Sequence, residues 1–241
     1  MGTSDRDTAV VIVASGSGER FGSAGGKQLA MLAGRPLLSH TVERCCESRD
    51  VALAVVVVPA GREDEYRTAL LGAETNVVRV EFALGGKRRQ DSVMSGLGMV
   101  PEEIGYVAVH DGARPLVTAE SLSAARRHLE ARSHLDGVVV GHPSFDTLKH
   151  VRDGVVIGTP DRSEYWIAQT PQLFRAPALR RAYHEAARTG RVATDDAGLV
   201  EASGGAVGVI EGPRDNIKVT VASDLALAEA LLAARSEEGR T

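Results

Sequence analysis

Basic side chains gather beside glycines at several points of this chain, and each point suits a phosphate. The first is the run Ser15-Gly16-Ser17-Gly18-Glu19-Arg20, which follows the apolar segment ending at Ala14 and continues to Gly26-Lys27-Gln28. Glycines leave backbone N–H groups open to anions, and Arg20 and Lys27 bracket the loop with positive charge. Neither common phosphate loop is spelled here. A dinucleotide fingerprint wants a third glycine where Phe21 stands, and a P-loop ending at Gly26-Lys27 wants glycine at position 21 and a hydroxyl at Gln28. What remains suits a nucleoside triphosphate lying across a long loop, with a flexible surface connection as the alternative.

Three further clusters share this character. Gly85-Gly86-Lys87-Arg88-Arg89-Gln90-Asp91-Ser92 sets glycines and bases at a helix start, where N–H groups favour an anion or a base edge. A solvated, charged helix start would read the same way. Asp111 and Arg114 follow an apolar run, and one carboxylate beside a triphosphate is a natural Mg²⁺ ligand. The plainer reading is a surface Asp–Arg pair. In Asp215-Asn216-Ile217-Lys218-Val219-Thr220, Lys218 lies between apolar residues, and an amphipathic strand would simply turn it to solvent. No nucleophile–base arrangement stands out. Together these groups suit transfer of a phosphorus centre by positioning and charge neutralisation, without a covalent intermediate.

Such loops need strands to hold them. Short apolar runs at Ala9–Ala14, Ala52–Val58, Val77–Phe82, Tyr106–His110, Gly137–Val140 and Ala206–Ile210 predict strands. Amphipathic stretches between them predict helices over Pro36–Ser48, Arg62–Leu71, Gln90–Met99, Ala119–Arg132, Pro177–Arg188 and Asp224–Ala234. The alternation predicts an α/β fold: a mostly parallel sheet with helices on both faces, in a single domain over 1–241. Such sheets bind ligands at the carboxyl ends of their strands, where the glycine loop and His110–Pro115 would meet. From Pro143 to Pro171 the rhythm breaks. Thr147–Arg152 and Val155–Thr159, joined by Asp153-Gly154, predict a protruding β-hairpin that must find a packing partner.

The 241 residues are 43% hydrophobic and 25% charged, enough for a full core. A net charge of -4 argues against a general nucleic-acid or anionic-membrane binder. No apolar run approaches a membrane span, and the polar Met1–Thr8 predicts a cytoplasmic protein. Adjacent Cys45 and Cys46 suit neither a metal tetrahedron nor a mutual disulfide, and read as thiols on a helix.

Read together, the segments V-A-S-G-S-G-E-R-F with G-K-Q, then R-Q-D-S-V, H-D-G-A-R-P, D-T-L-K, Q-T-P-Q, T-D-D-A and D-N-I-K-V-T resemble the 2-C-methyl-D-erythritol 4-phosphate cytidylyltransferases of isoprenoid synthesis. The resemblance runs over nearly the whole chain. It implies a Rossmann-like nucleotidyltransferase fold, CTP as co-substrate, Mg²⁺, and a homodimer held partly by a β-arm at about 143–171. It places Ala14, Ser15, Gly16, Gly18 and Gly112 around the nucleotide and Gly86, Lys87 and Ser92 at the cytosine. Asp111 would hold Mg²⁺ and the ribose side. Arg114, Thr170, Thr194 and Lys218 would form the sugar-phosphate pocket, with Thr147 and Arg162 reaching in from the partner. Arg20, Lys27 and Lys218 would surround the α-phosphate. The chain departs from the family pattern at Val13 and Gly26, where proline is usual, at Ser15 and Gly112, where alanine is usual, and at Lys87, where many relatives are acidic. The implied reaction is attack by the acceptor's phosphate on CTP, expelling pyrophosphate. A ribitol 5-phosphate cytidylyltransferase and a non-catalytic nucleotide-binding module are the alternatives.

Overall fold

The structure is a computed structural model that describes residues 6–16, 21, 26–75 and 77–238. In chain order it runs β1 (Thr8–Val13), the short pair β2 (Met31–Leu32) and β3 (Arg35–Pro36), α1 (Leu37–Cys46), β4 (Val51–Val58), α2 (Glu63–Ala69) and β5 (Arg79–Leu84). Then come α3 (Arg89–Gly98), β6 (Tyr106–Asp111), α4 (Ala119–Glu130), β7 (Gly137–Pro143), β8 (His150–Arg152) and β9 (Val155–Gly158). The chain closes through β10 (Trp166–Arg175), α5 (Ala176–Thr189), α6 (Asp196–Ala202), β11 (Val207–Glu211) and α7 (Ala222–Glu238).

Seven strands form one sheet in the order β11-β7-β10-β6-β1-β4-β5. All neighbours are parallel except β10, which runs against both β6 and β7. Period-two alternation divides the core between the two faces. Ala9, Val11, Val55 and Val57 pack with Val93 and Leu97 of α3 and Leu179 of α5. Val10, Ile12, Ala54 and Val56 pack with Leu38 and Val42 of α1 and Leu122 of α4. β1 and β4 are covered on both faces, which is why their sequences are nearly unbroken apolar runs. Cys45 and Cys46 lie on α1, free and buried. No described helix is long and apolar enough to cross a membrane.

The sequence reading left β10 and α6 out. β10 carries Gln169, Thr170, Pro171 and Gln172, and a proline without an N–H argues against an interior strand. The sheet accommodates it by breaking the β10–β7 register between Ala168 and Gln172. The antiparallel direction has a direct consequence. Gln172 pairs with Val109, so the residues before it, Thr170 among them, lie at the carboxyl end of β6. β5 begins at Arg79, two residues beyond the expected start.

The hairpin forms where the turn chemistry put it. Asp153 and Gly154 have φ of 50° and 77°, the doubly left-handed turn that matches strand twist. The interval 143–171 is not all arm, however. Pro143 pairs with Trp166 and His142 with Ile167, so both its ends belong to the central sheet. Val151, Val155, Val156 and Ile157 of the hairpin are 48–64% exposed.

Candidate active site

A cleft of about 590 Å³ opens at the carboxyl ends of β1 and β6. Its walls include Ser15, Gly16, Lys27, Gln28, Gly86, Lys87, Arg88, Arg89, Ser92, Asp111 and Lys218. Among the described residues, cations outnumber the single carboxylate on this wall, which is the electrostatics a polyphosphate requires.

Asp111, the last residue of β6, is the hub. Its Oδ1 accepts from Arg89 Nε at 3.3 Å, and its Oδ2 lies 2.8 Å from Lys218 Nζ and 3.8 Å from Arg114 Nε. Burial alone would raise this carboxyl, but Arg89, Lys218 and Arg114 outweigh it and hold it well below the usual carboxylate range. Its backbone is fixed as well. The Asp111 N–H donates to Thr170 Oγ1 at 3.0 Å, and that hydroxyl is 3.1 Å from His110 Nδ1. His110 Nε2 lies 3.2 Å from the Arg114 carbonyl, which can only accept. The proton therefore sits on Nε2, and Thr170 donates to Nδ1. Burial pushes the His110 ring down to about 4, so it is neutral near neutral pH.

Lys218 reaches Asp111 because its segment is sewn to the site without strand pairing. Asn216 Nδ2 donates to the Thr170 carbonyl at 2.8 Å, Arg114 Nη1 donates to the Asn216 carbonyl at 2.7 Å, and the Val219 N–H donates to the Ala113 carbonyl at 2.8 Å. Buried Val219 and partly buried Ile217 anchor the flanks beside Leu116 and α7. The apolar neighbours thus hold Lys218 in the cleft instead of turning it to bulk solvent.

The glycine loop and the start of α3 are tied by a hydroxyl pair. Ser15 Oγ donates to Ser92 Oγ at 2.9 Å, Gly86 N–H donates to the same oxygen at 3.0 Å, and Ser92 donates to the Arg88 carbonyl. At the helix start the Asp91 carboxylate accepts from both the backbone N–H and the guanidinium of Arg88. A side chain at position 85 could not be tolerated, because its Cβ would lie 2.2 Å from Ser15 Cβ. Lys27 opens a 3-10 turn after Gly26, whose φ of 74° is closed to proline. Gln28 beside it is buried, and its Oε1 has no hydrogen-bond partner.

Of the residues expected at the site, Ser15, Gly16, Lys27, Gly86, Lys87, Ser92, Asp111 and Lys218 line the cleft. Thr170 and Arg114 stand directly behind Asp111. Ala14 and Gly112 serve the frame: the Ala14 N–H goes to Val57 O and the Gly112 N–H to Val13 O. Gly18 and Arg20 lie outside the described residues. Thr194 is exposed before α6 and does not line the cleft. Thr147 and Arg162 are exposed near the hairpin, away from their own chain's cleft, with Arg162 donating to the Phe145 carbonyl at 2.6 Å. Sequence reasoning missed Arg89, Asp196 and Tyr183. Arg89 Nη2 donates to Asp196 Oδ2 at 2.8 Å, and the Tyr183 hydroxyl donates to Asp196 Oδ1. Arg89 heads R-Q-D-S-V and Asp196 lies in T-D-D-A, so the motifs were found while their bridging residues were not.

The chain matches the family model described as 2-C-methyl-D-erythritol 4-phosphate cytidylyltransferase over residues 8–234. It is 43% identical over 233 residues to the protein of that name from Symbiobacterium thermophilum, covering 96% of this chain and 94% of the other. It is 40% identical to the bifunctional enzyme IspD/IspF of Rhodospirillum rubrum, matching 95% of this chain and 58% of that larger protein. Among solved structures, the 2-C-methyl-D-erythritol 4-phosphate cytidylyltransferase of Thermus thermophilus is similar with a TM-score of 0.72 and 33% identity, over 92% of this chain and 97% of that one. The 4-diphosphocytidyl-2C-methyl-D-erythritolsynthase of Anaerococcus prevotii reaches a TM-score of 0.82 at 25% identity, over 95% and 97%. With likeness running from the first strand into the last helix, the chain belongs to the family of 2-C-methyl-D-erythritol 4-phosphate cytidylyltransferases.

Proposed function

We propose that this chain transfers the cytidylyl group of CTP to 2-C-methyl-D-erythritol 4-phosphate, giving 4-diphosphocytidyl-2-C-methyl-D-erythritol and pyrophosphate. The observation that carries this reading is the cationic cleft built around Asp111 and Lys218 at the sheet's carboxyl edge. A phosphate oxygen of the acceptor attacks the α-phosphorus of CTP in line. The bond to the bridging oxygen breaks, and its electron pair leaves on pyrophosphate. Lys27, Lys218 and Arg20 neutralise charge that grows on the α-phosphoryl oxygens, which is how such transfers gain most of their rate. Asp111 is ionised and faces the cleft, so it fits a divalent cation that takes its other ligands from phosphates and water. Mg²⁺ bound there would supply charge neutralisation on the triphosphate. Ser92 fixes the loops that receive the base, and the exposed Lys87 leaves base choice to the neighbouring backbone and hydroxyl.

Thr147 and Arg162 complete the acceptor pocket of a second subunit in this reading, with Thr170, Thr194 and Arg114 of the first. The exposed apolar hairpin is the contact that makes the homodimer. The protein works in the cytoplasm, as one catalytic domain with an arm. Pyrophosphate release with CTP and Mg²⁺ tests the reaction. Release dependent on 2-C-methyl-D-erythritol 4-phosphate is expected, with UTP and ATP much weaker. Release with ribitol 5-phosphate alone would overturn the acceptor while keeping the chemistry.

A further inference from the structure

Beneath the cleft lie two polar groups that the reaction as described does not use. Tyr183 and Asp196 are 1% and 0% exposed. Asp196 accepts from the Tyr183 hydroxyl on one oxygen and from Arg89 Nη2 on the other, at 2.8 Å. Arg89 turns its Nε outward to Asp111 Oδ1 at 3.3 Å, while Lys218 Nζ holds Oδ2 at 2.8 Å.

The two cations closest to Asp111 therefore differ in freedom. Arg89 is a planar fork pinned from behind by a buried carboxylate, whereas Lys218 is an ammonium on a flexible stem with 40% of its side chain exposed. An ammonium of that kind can turn to an arriving phosphate. Were Arg89 absent as well, the described residues would leave Asp111 only the more distant Arg114 Nε at 3.8 Å, and a poorly hydrated carboxylate without a close partner is costly. Arg89 prevents that.

We propose that Arg89 is a positioning residue: pinned by Asp196 and Tyr183, it keeps the Asp111 carboxylate partnered and in place, and so frees Lys218 to move from Asp111 to a substrate phosphate. The assignment rests on the cytidylyl-transfer reading of this cleft. It gives the buried Tyr183–Asp196 pair a task at a site neither touches.

The test compares two backgrounds. Arg89→Gln with Asp196→Asn neutralises both sides of the buried contact, so no lone charge is stranded in the fold. Tyr183→Phe keeps the ring and removes the hydroxyl. CTP affinity is read by calorimetry, and kcat by pyrophosphate release, in the unaltered chain and in Lys218→Met. The paired change is expected to lower kcat on the order of 10²-fold, the size of losing one transition-state donor. CTP affinity should change by less than about threefold, a split that places the loss after ground-state binding. In Lys218→Met the same change should cost less than about threefold, because no ammonium is left to release. Tyr183→Phe should act in the same sense, more weakly. Equal cost in both backgrounds, an unchanged kcat, or CTP affinity falling in step with kcat would overturn the assignment. If the unaltered chain releases no pyrophosphate from CTP, the reaction falls and takes the assignment with it. A chain that turns over with equal costs sinks the assignment alone.

Discussion

At the scale of single residues, the site depends on groups that are charged in different ways for different reasons. Asp111 is held ionised by three cations, and His110 is held neutral by burial, although they are neighbours in the chain. In the proposed reaction, Lys27 and Lys218, which line the cleft, carry the charge that faces substrate. Lys27→Ala and Lys218→Ala should each lower kcat by about 10²–10³, or ~2.7–4 kcal/mol, with a smaller effect on CTP affinity. Steady-state kinetics beside CTP titration checks this, and equal losses in kcat and affinity would refute it. Thr170 has a structural task at the same place, since its hydroxyl accepts from Asp111 N–H and donates to His110 Nδ1. Thr170→Val leaves both buried partners unmet and should cost about 1–3 kcal/mol. A lower urea midpoint at unchanged slope is the expected result.

At the scale of elements, α3 ties the two sides of the cleft together. Arg89 and Ser92 stand three residues apart on one face, so one helix reaches both Asp111 and Ser15. The helix can do this because Gly96 lets it sink onto the sheet. A Cβ there would lie 2.5 Å from Val11 Cγ1 and 2.8 Å from Val57 Cγ2. Gly96→Ala is therefore expected to destabilise by about 1–3 kcal/mol through overpacking. It should also lower activity beyond its effect on the folded fraction, because α3 carries Arg89 and Ser92. Thermal unfolding and kinetics on the same sample separate the two, and full specific activity would count against the link.

At the scale of the whole molecule, the hairpin exposes branched side chains that its own chain leaves uncovered. In the homodimer reading, Val155→Asp with Ile157→Asp should shift the mass in solution from dimer to monomer, read by light scattering. A sharper outcome concerns where Arg162 acts. Chains carrying Arg162→Ala and chains carrying Lys218→Ala should each be nearly inactive. Dissociated and mixed, they should regain about a quarter of the normal turnover, since half the dimers would hold one complete site. No recovery would place Arg162 in its own chain's pocket, and full activity of the Arg162→Ala chain alone would place it outside the reaction.

The α/β alternation, the hairpin turn and the clusters that carry charge are all legible in the order of residues alone. Each of these is local: strand and helix periods, the left-handed preference of Asp153-Gly154, and glycines beside bases are written within a few residues. Which of those charges meet depends on how the strands are ordered in the sheet. Thr170 reaches Asp111 only because β10 runs antiparallel beside β6, a pairing that Pro171 hides from any reading of strand pattern. Arg89 is bonded to Asp196, 107 positions away in the chain, and nothing local distinguishes it from Arg88, which caps the same helix in solvent. Lys218 looked like one residue of an amphipathic strand, and it lies in the cleft because Asn216 and Val219 are bonded to β10 and to the loop after β6. Local steric and hydrophobic preferences fix the elements, while a salt bridge between distant residues exists only once the sheet order has brought its partners together.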